Sequence, residues 1–264
     1  MGKDNEARVS VEIAGSTAVV LLDNPGQLNA LTKDMCLQLV GAFAGLSTND
    51  EVSSIVVRGA AANFCAGIAI DEMDQVLFDR DADGELINHF DLLDKIIVGC
   101  PKTTIAVVEG NCFGGAWQLA SACDIQLASD NVRLAITPAR IGLVFPRPGI
   151  ERLVRTVGEH RAKYLLFSGA EISIAEAERW GMFTRVIAQG QFEEELAALL
   201  GKLAANSPYS IARTNEAINL VRQGEATEGW WEAMWEENGA NADLAEGRSA
   251  FCSRRTPDYG GLPQ

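Results

Sequence analysis

The amino-acid sequence predicts a mixed α/β protein, and three observations carry that prediction. Over the first three quarters of the 264 residues, short alternating or β-branched runs are repeatedly followed by runs with helical spacing, the pattern of α/β architecture. From about Phe192 the strand signals stop and only helical spacing remains. Hydrophobic residues make up 47% of the chain and charged ones 22%, the composition of an ordinary globular protein whose core needs no staple.

In chain order, residues 9–14 (VSVEIA) and 17–22 (TAVVLL) read as a hairpin. Apolar residues at helical spacing follow over 31–46, then a strand over 54–58 (SIVVR) and an amphipathic helix over 86–98. A strand over 104–108 (TIAVV) runs into EGNCFGGAWQLASACD, where a glycine pair opens a helix of small residues. Strands over 125–128 and 132–136 come next, and Pro146 and Pro148 punctuate a loop before helices over 149–168. Helices over 196–205, 208–222 and 225–237 then lead to a short terminal piece ending GGLPQ. Trp230, Trp231, Met234 and Trp235 carry more aromatic area than one exposed helix can leave in water. They belong either to an intramolecular core or to a subunit contact.

Charge and cysteine usage exclude several function classes. Twenty-two Lys and Arg against 36 Asp and Glu leave a net charge of −14, which repels phosphate backbones and anionic lipid at long range. Nucleic-acid and membrane partners are therefore not expected, whereas a small anion can still be held by a few local cations or a helix N-terminus. The six cysteines form no CxxC pair and His89 and His160 are the sole histidines, so no metal site and no disulfide framework is expected. The N-terminal MGKDNEARVS is charged, and no run approaches the length of a membrane span. The expected compartment is cytoplasmic.

Two loops are candidates for chemistry. In ANFCAGIAIDEM (62–73) a strand ends in a turn of small residues that lets backbone N–H groups approach a ligand. In VEGNCFGGAWQLA (108–120) Gly114 and Gly115 lie where a strand turns into a helix, so unpaired N–H groups and the positive helix end point outward together. Two such amides converging on one carbonyl oxygen form an oxyanion hole.

These two loops in this order, with LLDNPGQLNAL (21–31) upstream, resemble the crotonase, or enoyl-CoA hydratase/isomerase, superfamily. CDIQLAS (123–129), SGAEISIAEAERWGMFTRVI (168–187) and AEGRSAFCSRRTPDYGG (245–261) extend the resemblance over nearly the whole chain. It implies an α/β fold in which a spiral of ββα turns over 1–200 binds acyl-CoA, with a helical C-terminal region over 201–264 that forms homotrimers or dimers of trimers. It further implies an acyl-CoA thioester substrate, coenzyme A being part of that substrate and no other cofactor being required. By position, the Ile68 and Gly115 amides form the oxyanion hole, next to Gly114. The adenine and pantetheine contacts fall on Leu28, Ala30, Ala66 and Ile70. Arg254 stands where members often carry a lysine for the CoA phosphate, the alternative being a solvated basic end, and a neighbouring subunit is its possible source. Basic residues are accordingly expected to cluster around Arg254 and Arg255.

The sequence departs from the family pattern in its acid/base residues. Hydratases of the family use two glutamates, and their positions fall on Gln118 and Pro138 here. An amide holds water by hydrogen bonds but does not exchange its proton as a carboxylate does, and proline offers nothing. That argues against two-glutamate hydration and leaves room for a reaction needing mainly enolate stabilisation, such as decarboxylation of a malonyl-type thioester. TPARIGLVFP (137–146) is locally similar to methylmalonyl-CoA decarboxylases, although Ile68 and Phe145 replace their His and Tyr. His89 is either an alternative acid/base beside the acyl pocket or a partly exposed helix residue. Arg140 and Arg147 are candidates for a substrate carboxylate. The remaining alternatives are a hydratase or isomerase that recruits His89, and a catalytically silent acyl-CoA binder.

Overall fold

The hairpin expected near the start of the chain is formed by β1 (Arg8–Ala14) and β2 (Thr17–Asp23), paired antiparallel in the computed structural model, which describes residues 6–259. The flanking residues 1–5, and the glycines and GGLPQ at the other end named above, lie outside the described residues. After α1 (Lys33–Ser47), whose first turn is capped by Thr32 accepting the Met35 N–H, the chain enters β3 (Ser54–Gly59). A short helix, α2 (Met73–Leu77), precedes a small hairpin of β4 (Asp79–Arg80) and β5 (Leu86–Ile87), then α3 (His89–Val98).

The helix expected over 86–98 therefore starts three residues late. Asn88 accepts the Asp91 N–H at 2.9 Å and caps α3, and Leu86–Ile87 pair as a strand instead. Side-chain capping by Asn ends a helix that hydrophobic spacing alone would extend.

β6 (Thr103–Val108) is followed by β7 (Asn111–Phe113), a short strand that the sequence pattern does not announce, and α4 (Gly115–Ala122), β8 (Ile125–Ser129) and β9 (Arg133–Ala135) then follow as the sequence suggests. α5 (Arg147–Val157) begins earlier than expected, because Pro146 is its N-cap and Pro148 fits its first turn, where a fixed φ costs nothing. α6 (Glu159–Ser168), β10 (Glu171–Ile172), α7 (Ile174–Arg179) and β11 (Arg185–Ile187) complete the core, and α8 (Phe192–Ala204) covers it. Three further helices close the chain: α9 (Pro208–Gln223), α10 (Glu228–Ala240) and α11 (Ala242–Ser253). The last was read as a short terminal piece. Asn241 caps it by accepting the Leu244 N–H at 2.9 Å.

The principal sheet has the order β1-β2-β3-β6-β8-β11, parallel from β2 onward. A second sheet, β10-β9-β7, is extended by a bridge from Cys112 to Cys65. Cys65, Cys112 and Leu134 thus stack as equivalent points on three successive turns, the ββα spiral that the resemblance implies. Both faces of the central parallel strands β3 and β6 are buried, as parallel strands require, while the antiparallel edge strand β1 is largely exposed. Val20, Leu22, Ile55 and Val57 face α1 and the main core, while Val56, Ile105, Val107 and Leu127 face Phe192 and Leu196 of α8. Five cysteines are buried and Cys252 is exposed. No helix among the described residues is long and apolar enough to cross a membrane.

Candidate active site

The first amide loop is held in place by the turn that precedes α1. Asn29 accepts the Asn24 N–H and donates to the Ala60 and Asn63 carbonyls at 2.9 and 2.7 Å, and Asn24 donates to the Ala30 carbonyl. These two buried asparagines hold Leu28 and Asn29 at φ 49° and 59°, a left-handed pair that local hydrogen bonding makes tolerable. Leu31 then pairs with the loop, its N–H donating to Gly67 O at 2.7 Å and its carbonyl accepting from Ala69 at 2.9 Å. Parallel pairing of this kind uses the groups on either side of Ile68 and turns the Ile68 N–H away from Leu31. Cys65 Sγ accepts the Gly67 N–H at 3.2 Å, which fixes the turn from inside. Burial pushes that thiol up to about 12, so it serves as a neutral acceptor rather than a nucleophile.

The second amide comes from the start of α4. Gly114 has φ 55°, and its N–H donates to Ala135 O at 2.8 Å. Gly115 is the first helical residue, so its N–H has no intrahelical partner. The loops touch: a Cβ on Gly67 would stand 2.8 Å from Phe113 O and 3.1 Å from Gly115 N. Neither the Ile68 nor the Gly115 N–H has a protein acceptor among the described residues. Both open on a cleft of about 200 Å³ whose floor and sides include Ala66, Ile70, Phe90, Leu143 and Phe145. Thr137 and Arg140 are the polar side chains of its wall, and no carboxylate or imidazole among the described residues lines it.

A family model described as enoyl-CoA hydratase/isomerase matches residues 12–262. The chain belongs to the enoyl-CoA hydratase/isomerase family, within the crotonase superfamily. The crystal structure of another member superimposes with a TM-score of 0.95 at 38% identity, covering 100% of both chains. The enoyl-CoA hydratase from Polaromonas sp. JS666 gives 0.84 at 27% identity over 95% of this chain and 99% of its own. In sequence, the 2,3-dehydroadipyl-CoA hydratase of Escherichia coli (strain K12) is 28% identical, covering 92% of this chain and 94% of its own.

Measured against the family expectation, the structure brings Ala66, Ile68, Ile70, Gly114, Gly115 and Pro138 to one cleft. Leu28 is half-exposed and Ala30 buried, both on the turn that supports the first amide loop rather than on the cleft wall. Arg254 caps α11 at φ 52° and is remote from the cleft in its own chain, while Arg255 pairs with Glu246. Arg147 is on the surface, bonded to Glu151, and not on the cleft. Arg140 lines the cleft with its guanidinium donating to Gly169 O at 2.6 Å.

Two expectations are corrected. Gln118 is fully buried behind the cleft wall rather than on it. Its Nε2 donates to Asp94 Oδ1 at 3.2 Å, and Asp94 is gripped by Arg152. A carboxylate accepts only, so the amide nitrogen must face Asp94. The Oε1 is then directed towards Phe145 and Gly149, where it has no partner. His89 is neither on the cleft nor exposed. Its Nε2 shares Asp79 Oδ2 with Lys33 Nζ, at 2.8 and 2.7 Å, so the ring ties α3 to α1 and β4. Sequence reasoning also passed over Thr137 as a cleft residue and over Asp94 and Arg152 altogether. The Thr-Pro pair of TPARIG is the signal for the first, whereas nothing local marks an ion pair 58 residues apart.

The His89 ring and the Lys33 ammonium hold the Asp79 carboxyl well below the usual carboxylate range. A depressed folded-state pKa contributes stability above the unfolded value of about 3.9 and loses it as pH falls through the folded value. Asp79→Asn is expected to lower the thermal midpoint at neutral pH and to leave a shallower decline between about pH 4 and pH 2, as scanning calorimetry across that range would show.

Proposed function

We propose that this protein acts on an acyl-CoA thioester whose carbonyl oxygen lies between the Ile68 and Gly115 N–H groups. The observation that carries the reading is a cleft with two adjacent amides that are unpaired and, among the described residues, no ionisable acid or base beyond Arg140. Such a site stabilises an enolate and does little to activate water. The preferred reaction is therefore decarboxylation of a malonyl-type thioester. The bond from Cα to the carboxylate breaks, CO2 departs, and the electron pair enters the enolate whose oxygen the two amides hold. Solvent then supplies the proton to Cα. Thr137 and Arg140 are placed to orient the carboxylate within the apolar cleft. Coenzyme A extends over Ala66 and Ile70 towards the Leu28–Ala30 turn, with Arg254 supplied by a second copy of the chain. Copies assemble through α10 and α11, where Trp235 and Phe251 are exposed.

A panel of CoA thioesters read by mass spectrometry tests this. The expected product is about 44 Da lighter for a malonyl-type substrate, with no gain of about 18 Da on crotonyl-CoA. Hydration by the unaltered protein, the activity named for the curated relative above, overturns the assignment.

A second test uses Gln118. In Gln118→Glu the new carboxylate replaces an amide nitrogen 3.2 Å from Asp94 Oδ1, and two buried carboxylates at that distance cannot both ionise. The single variant is expected to lose stability in urea without gaining hydration. Adding Asp94→Asn leaves Arg152 free to pair with the new glutamate and is expected to restore most of that stability.

A further inference from the structure

A second cavity, of about 970 Å³, lies between α3, α5 and α9. It is larger than the cleft, at the upper end of the usual range for ligand pockets. Its walls concentrate cations in a chain that has few of them: Lys95 from α3, Arg147, Arg152 and Arg155 from α5, Arg213 and Arg222 from α9. The walls are fixed to one another, because Asn219 of α9 donates to Val98 O at 3.2 Å and Asn215 to Cys100 O at 3.5 Å, at the end of α3.

Three of the four carboxylates in these walls are already committed to arginines. Asp94 is gripped by Arg152, and Arg213 pairs with Glu216 and Glu237. Glu151 bonds Arg147 at 2.7 Å, leaving Arg155 a contact of 4.0 Å. The fourth, Asp91, keeps a buried Oδ1 without a partner, and burial and the neighbouring Asp94 raise its pKa against the pull of Lys95 and Arg152. Arg222 has no carboxylate within 4.0 Å among the described residues, and its single acceptor is the neutral Asn219 Oδ1 at 3.4 Å. Burial first, then the guanidiniums of Arg155 and Arg152, push its pKa down against the weaker opposing pull of Asp94 and Glu151. The folded chain therefore holds cationic groups from α5 and α9 facing each other with too little negative charge between them, an arrangement that an anion relieves.

We infer that this cavity is a binding site for a small oxyanion, a carboxylate or phosphate group gripped between Arg155 and Arg222. Arginine guanidiniums suit such groups by their paired N–H geometry, here from a half-exposed Arg155 and a half-buried Arg222. The oxyanion comes either from a free dianion or from a carboxylate at the far end of a bound acyl group. The first source is favoured, because the buried layer of Gln118, Asp94 and Phe145 separates the cavity from the cleft.

The test compares the full-length protein with Arg155→Gln and Arg222→Gln. Inorganic phosphate and glutarate, titrated against sodium chloride of matched ionic strength, are expected to raise the thermal midpoint of the unaltered protein. Either variant is expected to weaken that binding at least tenfold by calorimetry. Without anion, Arg222→Gln is expected to be at least as stable as the unaltered protein, since the repulsion it removes outweighs one long bond to the neutral Asn219 Oδ1. Glutaryl-CoA and valeryl-CoA distinguish the sources: a loss confined to glutaryl-CoA in Arg222→Gln assigns the site to the acyl carboxylate. Equal anion stabilisation in all three proteins, or none in any, overturns the site, as does a marked loss of stability in Arg222→Gln without anion.

Discussion

Gly67→Ala is expected to reduce turnover by about two to three orders of magnitude while leaving the fold intact. Gly67 has φ +94°, and the added Cβ would stand 2.8 Å from Phe113 O and 3.1 Å from the Gly115 nitrogen. Both neighbours are backbone, so neither can yield by rotating a side chain. The loops must separate, and with them the Ile68 and Gly115 amides that face the cleft. Losing one oxyanion donor costs about 2.7–4 kcal/mol of transition-state stabilisation, and it falls on kcat rather than KM because the charge develops only during reaction. The backbone strain itself adds about 1–3 kcal/mol of destabilisation. Gly84→Ala separates the two effects. Gly84 has φ +84° but nothing within 4 Å of an added Cβ, and it lies in the turn between β4 and β5. It carries the same strain without the collision, so turnover there is expected to stay within twofold. Steady-state rates on the best thioester of the panel, with far-UV circular dichroism as the check on folding, decide between them. A Gly67→Ala protein with more than a tenth of normal turnover would remove the amide pair from the mechanism.

The legible part of this molecule is what short-range physics writes into consecutive residues. β2 and β6 are visible because alternating or unbroken apolar runs have one sensible burial, and α4 because a glycine pair precedes small residues. Element ends were less legible. Asn88, Pro146 and Asn241 each set a helix start by capping or by a fixed φ, and the hydrophobic period carries no record of that. The two amide loops were legible as motifs, yet not what holds them: the Leu31 bridge to Ile68 and the Cys65 sulfur on Gly67 are contacts between distant or inward-facing groups. Gln118 shows the limit most clearly. Its position in the helix is readable, but the direction of its amide depends on Asp94, 24 residues earlier, and on Arg152, 34 residues later. The same holds for His89, whose partner Asp79 sits on a two-residue strand that no pattern announces.

That dependence makes Arg152 the second residue whose loss is expected to be severe. Arg152→Leu leaves Asp94, whose side chain is 6% exposed, without a salt-bridge partner among the described residues. Breaking one side of a buried pair costs about 3–5 kcal/mol, whereas replacing both sides by apolar residues is often nearly neutral. Asp94→Leu/Arg152→Leu is therefore expected to recover most of the loss. It should not recover all of it. Arg152 also donates to the Ser121 hydroxyl at 3.0 Å, and Gln118 Nε2 would lose its acceptor, at about 1–3 kcal/mol for a buried unpaired group. Urea denaturation gives the ordering directly, provided the slope m is unchanged so that the midpoints compare. An Arg152→Leu protein as stable as the unaltered one would mean that Asp94 enters the core protonated. Gln118 would then face a neutral acid able to donate as well as accept, and its amide would no longer have a fixed direction behind the cleft.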